Sequence, residues 1–273
     1  MLKGLYFSNM VIDKSRQYQN SSMGSDAKVN IRPFRNGDAT QIREIFMLAM
    51  VYGQTSPMRR ALRAQLFEPA TFVLYGAFIA GLMLLIRDHT RMYGAALSFI
   101  SVALFYSWRT LLWRKYLSFM EQSTNADLAN IANSYGLKVI AKTDNQEEIF
   151  APSGVSCFWV AEIMMDGRGT GKIAGFVGLD VSKSEDQSVA ELRRMAVSPA
   201  YHRRGIAARL INTAITQARA HNVTSISLST TMFQLDAINM YKKFGWVEER
   251  RQWFKPTFLG GALVVWMRLT LTK

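Results

Sequence analysis

Two uncharged apolar runs, Pro69 to Ile86 and Met92 to Trp108, separated only by Arg87-Asp88-His89-Thr90-Arg91, limit what this chain can fold into more than any other feature of it. Neither run has the polar face that a surface helix of a globular domain presents, and each is close to the lower length for crossing a bilayer. The pair reads as a helical hairpin made for a membrane. Arg59, Arg60 and Arg63 precede it, and Arg109, Arg114 and Lys115 follow it. The tendency of basic residues to stay on the cytoplasmic side therefore puts both outer flanks on that side. Arg87 and Arg91 in the connecting turn leave two geometries open: a shallow re-entrant hairpin, or a full crossing whose arginines reach the opposite headgroups. The soluble alternative is a hairpin buried in a protein core.

The remainder reads as an α/β domain, residues 30–273, interrupted by the hairpin at 69–108. Residues 1–29 are rich in Ser, Asn, Gln and Lys and form a polar tail without a continuous apolar core. The domain opens with the strand IRPFR, a turn at Asn36-Gly37 and a helix N-capped by Asp38, with Ile42, Ile45, Phe46 and Ala49 along one face. Beyond the hairpin, a polar helical pattern runs from Tyr116 to Tyr135 and stops at Gly136. SCFWVAEIMM and IAGFVGLDVS are strands joined by a turn in MDGRGTGK. GRGTGK lacks the glycine spacing, and the Ser or Thr after lysine, of a phosphate loop. The linker KSEDQS, the strand VAELRRMAV, a helix, the strand SISLST, the helix of QLDAINMYKKFGW and the strand LVVWMRLTL complete the pattern.

Val189 to Asn222 carries the chemistry. Its strand stops at Pro199, and Gly205 allows backbone to approach a ligand where a side chain would obstruct. From Gly205 onward Ile206, Leu210, Ile211, Ala214, Ile215 and Ala218 recur at helical spacing. The free amides of that helix start, with Arg203 and Arg204, make a cradle for an anion such as pyrophosphate. The formal net charge of +13 favours anionic partners generally: nucleic acid, an acidic membrane surface or a phosphorylated cofactor. No nucleic-acid motif accompanies it, which argues against nucleic acid. One cysteine, Cys157, excludes an internal disulfide framework, and neither it nor the three scattered histidines has metal-ligand spacing, so no metal is expected.

These residues resemble the GCN5-related N-acetyltransferase (GNAT) superfamily, which transfers acetyl from acetyl-CoA to an amine. His202-Arg203-Arg204-Gly205-Ile206-Ala207 matches its pyrophosphate loop except at His202, where Gln or Arg is usual. Ala237 to Trp246, AINMYKKFGW, matches its second signature, with Gln234 standing where Asn is often found. The resemblance implies a mixed, mostly antiparallel sheet flanked by helices and splayed between the strand at Glu191 and the one at Ser225. It implies acetyl-CoA as co-substrate, with the backbone of Met195, Ala196 and Val197 pairing with pantetheine. Glu191 would then be the general base that deprotonates the amine and Tyr241 the general acid for the leaving thiolate. The structural alternatives are a strand-end glutamate paired with Arg193 or Arg203, and a helix tyrosine that closes the core.

A narrower likeness, to the camello-type membrane N-acetyltransferases, covers Ile31 to the final strand through IRPFR, the double apolar run, TNADLANI, GVSCFWVAE and the acetyl-CoA stretch. That group includes cysteine-S-conjugate and aspartate N-acetyltransferases. It implies an endoplasmic-reticulum membrane enzyme with a cytosolic catalytic domain and a small-molecule amine acceptor. ELRRMAV and STT lean towards the aspartate enzyme, MFQLDAINMY towards the conjugate enzyme. Strand alternation turns Arg193 and Arg194 to opposite faces. Whichever faces the acceptor cleft would grip an amino-acid carboxylate, the alternative being that both satisfy surface or CoA phosphate charge. A protein-lysine acetyltransferase and a non-catalytic membrane protein that keeps the fold are the competing functions.

Overall fold

The computed structural model describes residues 28–142, 148–182, 188–257 and 260–271. Most of the expected polar tail, 1–27, and most of the expected linker, Lys183–Gln187, lie outside them. Strands β1 (Lys28–Pro33), β4 (Cys157–Met165), β5 (Arg168–Asp180), β6 (Val189–Val197), β7 (Ser225–Thr231), β8 (Val247–Thr257) and β9 (Gly260–Thr270) form one sheet in the order β1-β4-β5-β6-β7-β9-β8. Every neighbouring pair is antiparallel except β6 and β7, which run parallel. The sheet is thus the mixed, mostly antiparallel one expected. A separate antiparallel pair, β2 (Leu137–Lys142) with β3 (Glu148–Pro152), and the edge strand β8 are not foreseen from sequence. In β2 all but Leu137 are exposed, and β8 carries Glu248-Glu249-Arg250-Arg251 on the sheet edge, so neither shows a clean inside–outside alternation.

Helices cover both faces. On one, α6 (Ile206–Ala220) lays Ile206, Leu210, Ile211, Ala214 and Ala218 against Cys157, Val177, Leu179, Ala190 and Ile226, and α7 (Leu235–Lys243) adds Ile238 and Tyr241. On the other, α1 (Ala39–Met47) supplies Ile42, Ile45 and Phe46, which pack with Leu128, Ile131 and Tyr135 on Phe158, Val160 and Phe176. β5 lies between and is buried continuously from Ile173 to Asp180. Gly178 is there because a Cβ would sit 2.5 Å from the Tyr135 ring.

Asp38 does not cap α1 with its side chain. Its carboxylate turns back, accepts from the Arg35 N–H at 2.8 Å, and takes both ends of the Arg32 guanidinium at 2.7 and 2.8 Å. Arg32 Nε also donates to Glu162 on β4 at 2.6 Å. The buried triad fastens β1, the α1 entrance and β4 together.

Beyond α1, a π-type turn (Leu48–Tyr52) leads to α2 (Pro57–Ala64), which Ser56 caps. The hairpin follows as α3 (Pro69–Leu84) and α4 (Arg91–Asp127). The helix expected to start at Tyr116 is the lower half of α4, a rod of 37 residues and about 55 Å. It breaks at Leu128–Asn130, ahead of a single turn, α5 (Ile131–Ser134). Near the tip the helices cross at glycines: a Cβ on Gly94 would lie 2.6 Å from the Gly81 carbonyl, and one on Gly81 2.4 Å from Ser98 Oγ. Phe72, Val73, Ile79 and Met83 on α3, with Met92, Phe99, Val102 and Tyr106 on α4, remain exposed. The helix at Asp88–Asp127 is long and apolar enough to cross a membrane; α3 meets that test only together with the segment before Phe67, from which it bends by 54°.

The triad makes a stability prediction. Burial alone would raise the Glu162 carboxyl, but the Arg32 guanidinium and the Gly171 N–H hold it below its ordinary value. A depressed carboxylate adds stability at neutral pH that is lost as pH falls below about 4. Arg32→Ala, which strands two buried carboxylates, should lower unfolding free energy by about 3–5 kcal/mol at pH 7. In denaturant titrations the gap between wild type and variant should narrow on acidification.

Candidate active site

The parallel pairing of β6 and β7 lasts three residues, Val189 with Ser225, Ala190 with Ile226 and Glu191 with Ser227. From Leu228 onward β7 is held by β9, while β6 stays paired with β5 as far as Val197. The strands part at Glu191, as expected, and β6 offers an open edge from Leu192 to Val197. Arg194 has a left-handed φ of +52, and the β5–β6 register shifts between Phe176 and Gly178. This bulge re-aims the side chains that follow it.

At the far end of the open edge the chain turns through Pro199–Tyr201 and Arg203 (φ +63) to Gly205 (φ +72), the N-cap of α6. The first helical bond runs from the Arg209 N–H to the Gly205 carbonyl, so the amides of Ile206, Ala207 and Ala208 have no carbonyl within the helix. A Cβ at Gly205 would meet nothing within 4 Å, so glycine serves the backbone conformation and leaves clear space before the helix start. Arg203 and Arg204 are exposed there, Arg204 lying 5.7 Å from the Tyr201 ring centroid. His202 is exposed too, and its Nε2 sits 3.1 Å from the Val197 carbonyl.

Across the gap, α7 brings Tyr241 against β6, its hydroxyl 3.6 Å from Met195 Sδ. The ring is buried beside Trp246, centroids 5.7 Å apart, and burial pushes the phenol above its ordinary pKa. Gln234 ties down the start of the same helix. Its Oε1 accepts from Thr230 Oγ1 at 2.9 Å and from the Thr231 N–H at 3.4 Å, and its Nε2 reaches Met50 Sδ at 3.6 Å.

Glu191, where the strands part, is half-buried, its Oε2 3.6 Å from Arg193 Nε. Arg193 Nη1 donates to Asp180 Oδ2 at 3.0 Å, and its Nη2 lies 3.9 Å from Asp127 Oδ2. Arg194 Nε donates to the same Asp127 oxygen at 2.8 Å, and its Nη2 to the Ser123 carbonyl at 2.9 Å. The expected turn of these arginines to opposite faces does not occur: the bulge at Arg194 sends both towards Asp127. Tyr135 adds a hydroxyl 3.3 Å from that carboxylate. Asp127 escapes sequence reasoning because 67 residues of chain separate it from Arg194; Asp180 and Tyr135, 13 and 8 residues from their partners, escape it because no local pattern marks the pairing.

A family model described as the acetyltransferase (GNAT) family matches residues 108–246, just over half of the chain. The chain belongs to this family. The acetyltransferase is 24% identical to N-acetylaspartate synthetase of Danio rerio, over 89% of this chain and 79% of the relative. It is 26% identical to the Rattus norvegicus protein of the same name, over 80% of this chain and 62% of that relative, so it spans less than two thirds of the rat protein. It is 25% identical to N-acetyltransferase 8 of Rattus norvegicus, over 80% and 86%. Family and relatives together make it an acetyl-CoA-dependent N-acetyltransferase, with a gap between parallel strands next to an open helix start.

Gly205→Ala tests the helix start. A Cβ at that φ should cost about 1–2 kcal/mol in stability, visible as a lower unfolding temperature. It should also weaken acetyl-CoA binding, measured by calorimetry, because the methyl group enters the clear space.

Proposed function

We propose that this acetyltransferase is a membrane-anchored enzyme that moves acetyl from acetyl-CoA to the amino group of a small amino acid or cysteine S-conjugate by direct attack. The observation that carries the reading is the disposition of Glu191 and Tyr241 along one open strand edge. Glu191 stands where β6 and β7 part, and Tyr241 reaches Met195 further along. Amines are mostly protonated near neutral pH, so the Glu191 carboxylate takes a proton from the acceptor ammonium, directly or through water. The freed nitrogen attacks the thioester carbon, whose carbonyl a backbone amide of the open edge polarises. The CoA thiolate leaves with the proton of the Tyr241 hydroxyl. Because burial raises that phenol, it stays protonated through the physiological range and remains available as an acid.

The acceptor's carboxylate falls to Arg193. Its Nε and Nη2 are ion-paired with Glu191 and Asp127 at 3.6 and 3.9 Å, longer than a hydrogen bond, so a substrate carboxylate could take those hydrogen bonds while the ion pairs persist. The name of the synthetase relatives makes aspartate the first acceptor to try. Purified protein offered acetyl-CoA with aspartate, S-substituted cysteines, simple amines and a lysine peptide should release thiol with the free amino acids and not with amines lacking a carboxylate. Turnover of the peptide alone would instead favour a protein-lysine acetyltransferase. Glu191→Gln and Tyr241→Phe should each lower kcat about a hundredfold or more, with the KM for acetyl-CoA little changed; unaltered turnover in both would place the chemistry elsewhere.

Anchoring rests on the exposed apolar flanks of α3 and α4. Their glycine crossing also supports it, since close packing of small residues is how helices associate in lipid. α3, at 16 residues, spans about 24 Å against a hydrocarbon core of about 30 Å. A hairpin of that reach enters and returns on one side, which accords with the basic residues on both outer flanks. The location this reading carries is the endoplasmic-reticulum membrane, with the catalytic domain in the cytosol. The wild-type protein should stay with membranes after an alkaline wash, and Phe72→Glu, Ile79→Glu and Phe99→Glu together should release it. Recovery of the wild type in the soluble fraction would remove the anchor from the proposal.

A further inference from the structure

The short loop from Met232 to Gln234 joins β7 to α7, and its backbone is fixed while two apolar side chains around it stand in the open. The Met232 N–H donates to the Leu263 carbonyl of β9 at 2.8 Å, and the Gln234 N–H to the Thr231 carbonyl at 2.9 Å. The Gln234 side chain is taken up by Thr230 and Met50. Met232 and Leu235 are nevertheless 36% and 56% exposed. Large apolar side chains held out together mark a contact surface.

A chain of bonds says which surface. Arg60 on α2 donates to the Phe233 carbonyl at 3.4 Å and pairs with Asp236. Two residues further along α2, the Leu62 carbonyl accepts from Arg109 Nη1 at 3.0 Å. Arg109 is the first residue after the apolar run of α4. The loop is therefore strapped, through one short helix, to the place where α4 leaves that run. α2 does not carry it far: eight residues make about 12 Å. The segment ending at Phe67 also bends from α3 by 54°, so its rise along the hairpin is shorter than its length.

The side chains around the strap suit the surface of an acidic bilayer. Arg63 on α2 and Arg114 and Lys115 on α4 are exposed, as are Leu111 and, at 74%, Phe67. Asp236, the acidic residue at the start of α7, is paired with Arg60. Bulky apolar groups beside long cations match a headgroup layer: the former enter the acyl boundary and the latter stay at the phosphates. A partner protein would have to cover the same residues while the hairpin next to them lies in lipid. Resting on the membrane anchoring, we propose that Met232 and Leu235 form a second lipid contact, which with Arg63, Arg114 and Lys115 lays the catalytic domain against an acidic bilayer surface. The side of the gap that carries Gln234 and Tyr241 is then held at the interface.

A fluorescent probe tests the contact. Cys157 is fully buried, so nitrobenzoxadiazole coupled to Met232→Cys, Leu235→Cys, Phe99→Cys or His221→Cys reports one place each, with the unsubstituted chain as blank. Phe99 lies on the exposed flank of α4, and His221, between α6 and β7, stands at the opposite end of β7 from Met232. Each labelled full chain is reconstituted in vesicles of phosphatidylcholine and phosphatidylserine, with phospholipids carrying a nitroxide near the headgroup or deep in the acyl chain. The Met232 and Leu235 probes should emit to the blue of the His221 probe and be quenched by the shallow nitroxide, and the Phe99 probe by the deep one. Replacing phosphatidylserine by phosphatidylcholine should weaken quenching at the loop, since each of the three cations favours contact with an acidic surface roughly fivefold. Loop probes that match His221 and escape quenching, beside a quenched Phe99, would overturn the proposal and leave the anchor standing. So would equal quenching without phosphatidylserine, or a blue shift that no lipid quencher reaches, the mark of a second copy or of bound acetyl-CoA. A Phe99 probe that no lipid quenches would overturn the anchoring, and this inference with it.

Discussion

The carboxylate of Asp127 holds the catalytic half of the molecule in its shape. It ends α4, where the helix dipole disfavours a negative charge. Arg194 at 2.8 Å, Arg193 at 3.9 Å and the Tyr135 hydroxyl at 3.3 Å offset that cost. The dependence is mutual. The two guanidinium side chains are only 18% and 14% exposed, and adjacent cations so far from water need a carboxylate between them. Arg194 is also the left-handed residue of the β6 bulge, so one ion pair fixes a backbone distortion that β propensity would erase. The bulge lies on the stretch of β6 beyond Glu191 that β7 no longer pairs.

That junction joins two scales of the structure. α4 runs unbroken from the tip of the apolar hairpin to Asp127, and its last turns also give the Ser123 carbonyl to Arg194. Higher up, Tyr116 lies 3.4 Å from the Met50 carbonyl, and Met50 touches Gln234 at the start of α7. α2 adds Arg60, which bonds to Asp236 on α7. Both lips of the gap are therefore pinned to the base of the hairpin. Under the proposed anchoring, the membrane would be the frame against which the active site is aligned, because no flexible linker separates the two.

How much of this was legible depended on whether a local pattern carried it. β4, β5 and α6 were readable because their apolar residues repeat within a single element, and Gly205 and the Ala237–Trp246 helix were readable because spacing alone defines them. Asp38 holds the N-cap position as read, but its side chain does not cap: a buried Arg32 competes for the same carboxylate and offers two hydrogen bonds from a full cation in place of one from a backbone amide. The arginine pair failed for a different reason. Alternation presumes a regular strand, and nothing local to Arg193-Arg194 announces a bulge whose cause is Asp127. β2 and β8 were hidden because exposed edge strands need no apolar face. At the site, what was missed was a set of ionic partners that no periodic pattern marks, the most distant of them 67 residues apart.

Charge along β6 gives the gap a direction. At its start Glu191, Asp180 and Asp127 surround two arginines, leaving a locally acidic cluster in a chain whose formal net charge is +13. Beyond its end stand Arg203, Arg204 and the free amides of α6. An extended molecule with a polyanionic end and a neutral amide-bearing arm can lie along this edge one way only, its phosphates at the α6 start and its arm running back towards Glu191. An ammonium approaching the acidic end then meets the tip of that arm. The strand spans roughly 20 Å from Glu191 to Val197 at about 3.3 Å per residue, so under the proposed function phosphate recognition and the reacting atoms would be kept well apart. Under the proposed function, the arginines that would meet the anion stand at the opposite end of the edge from the Glu191 carboxylate.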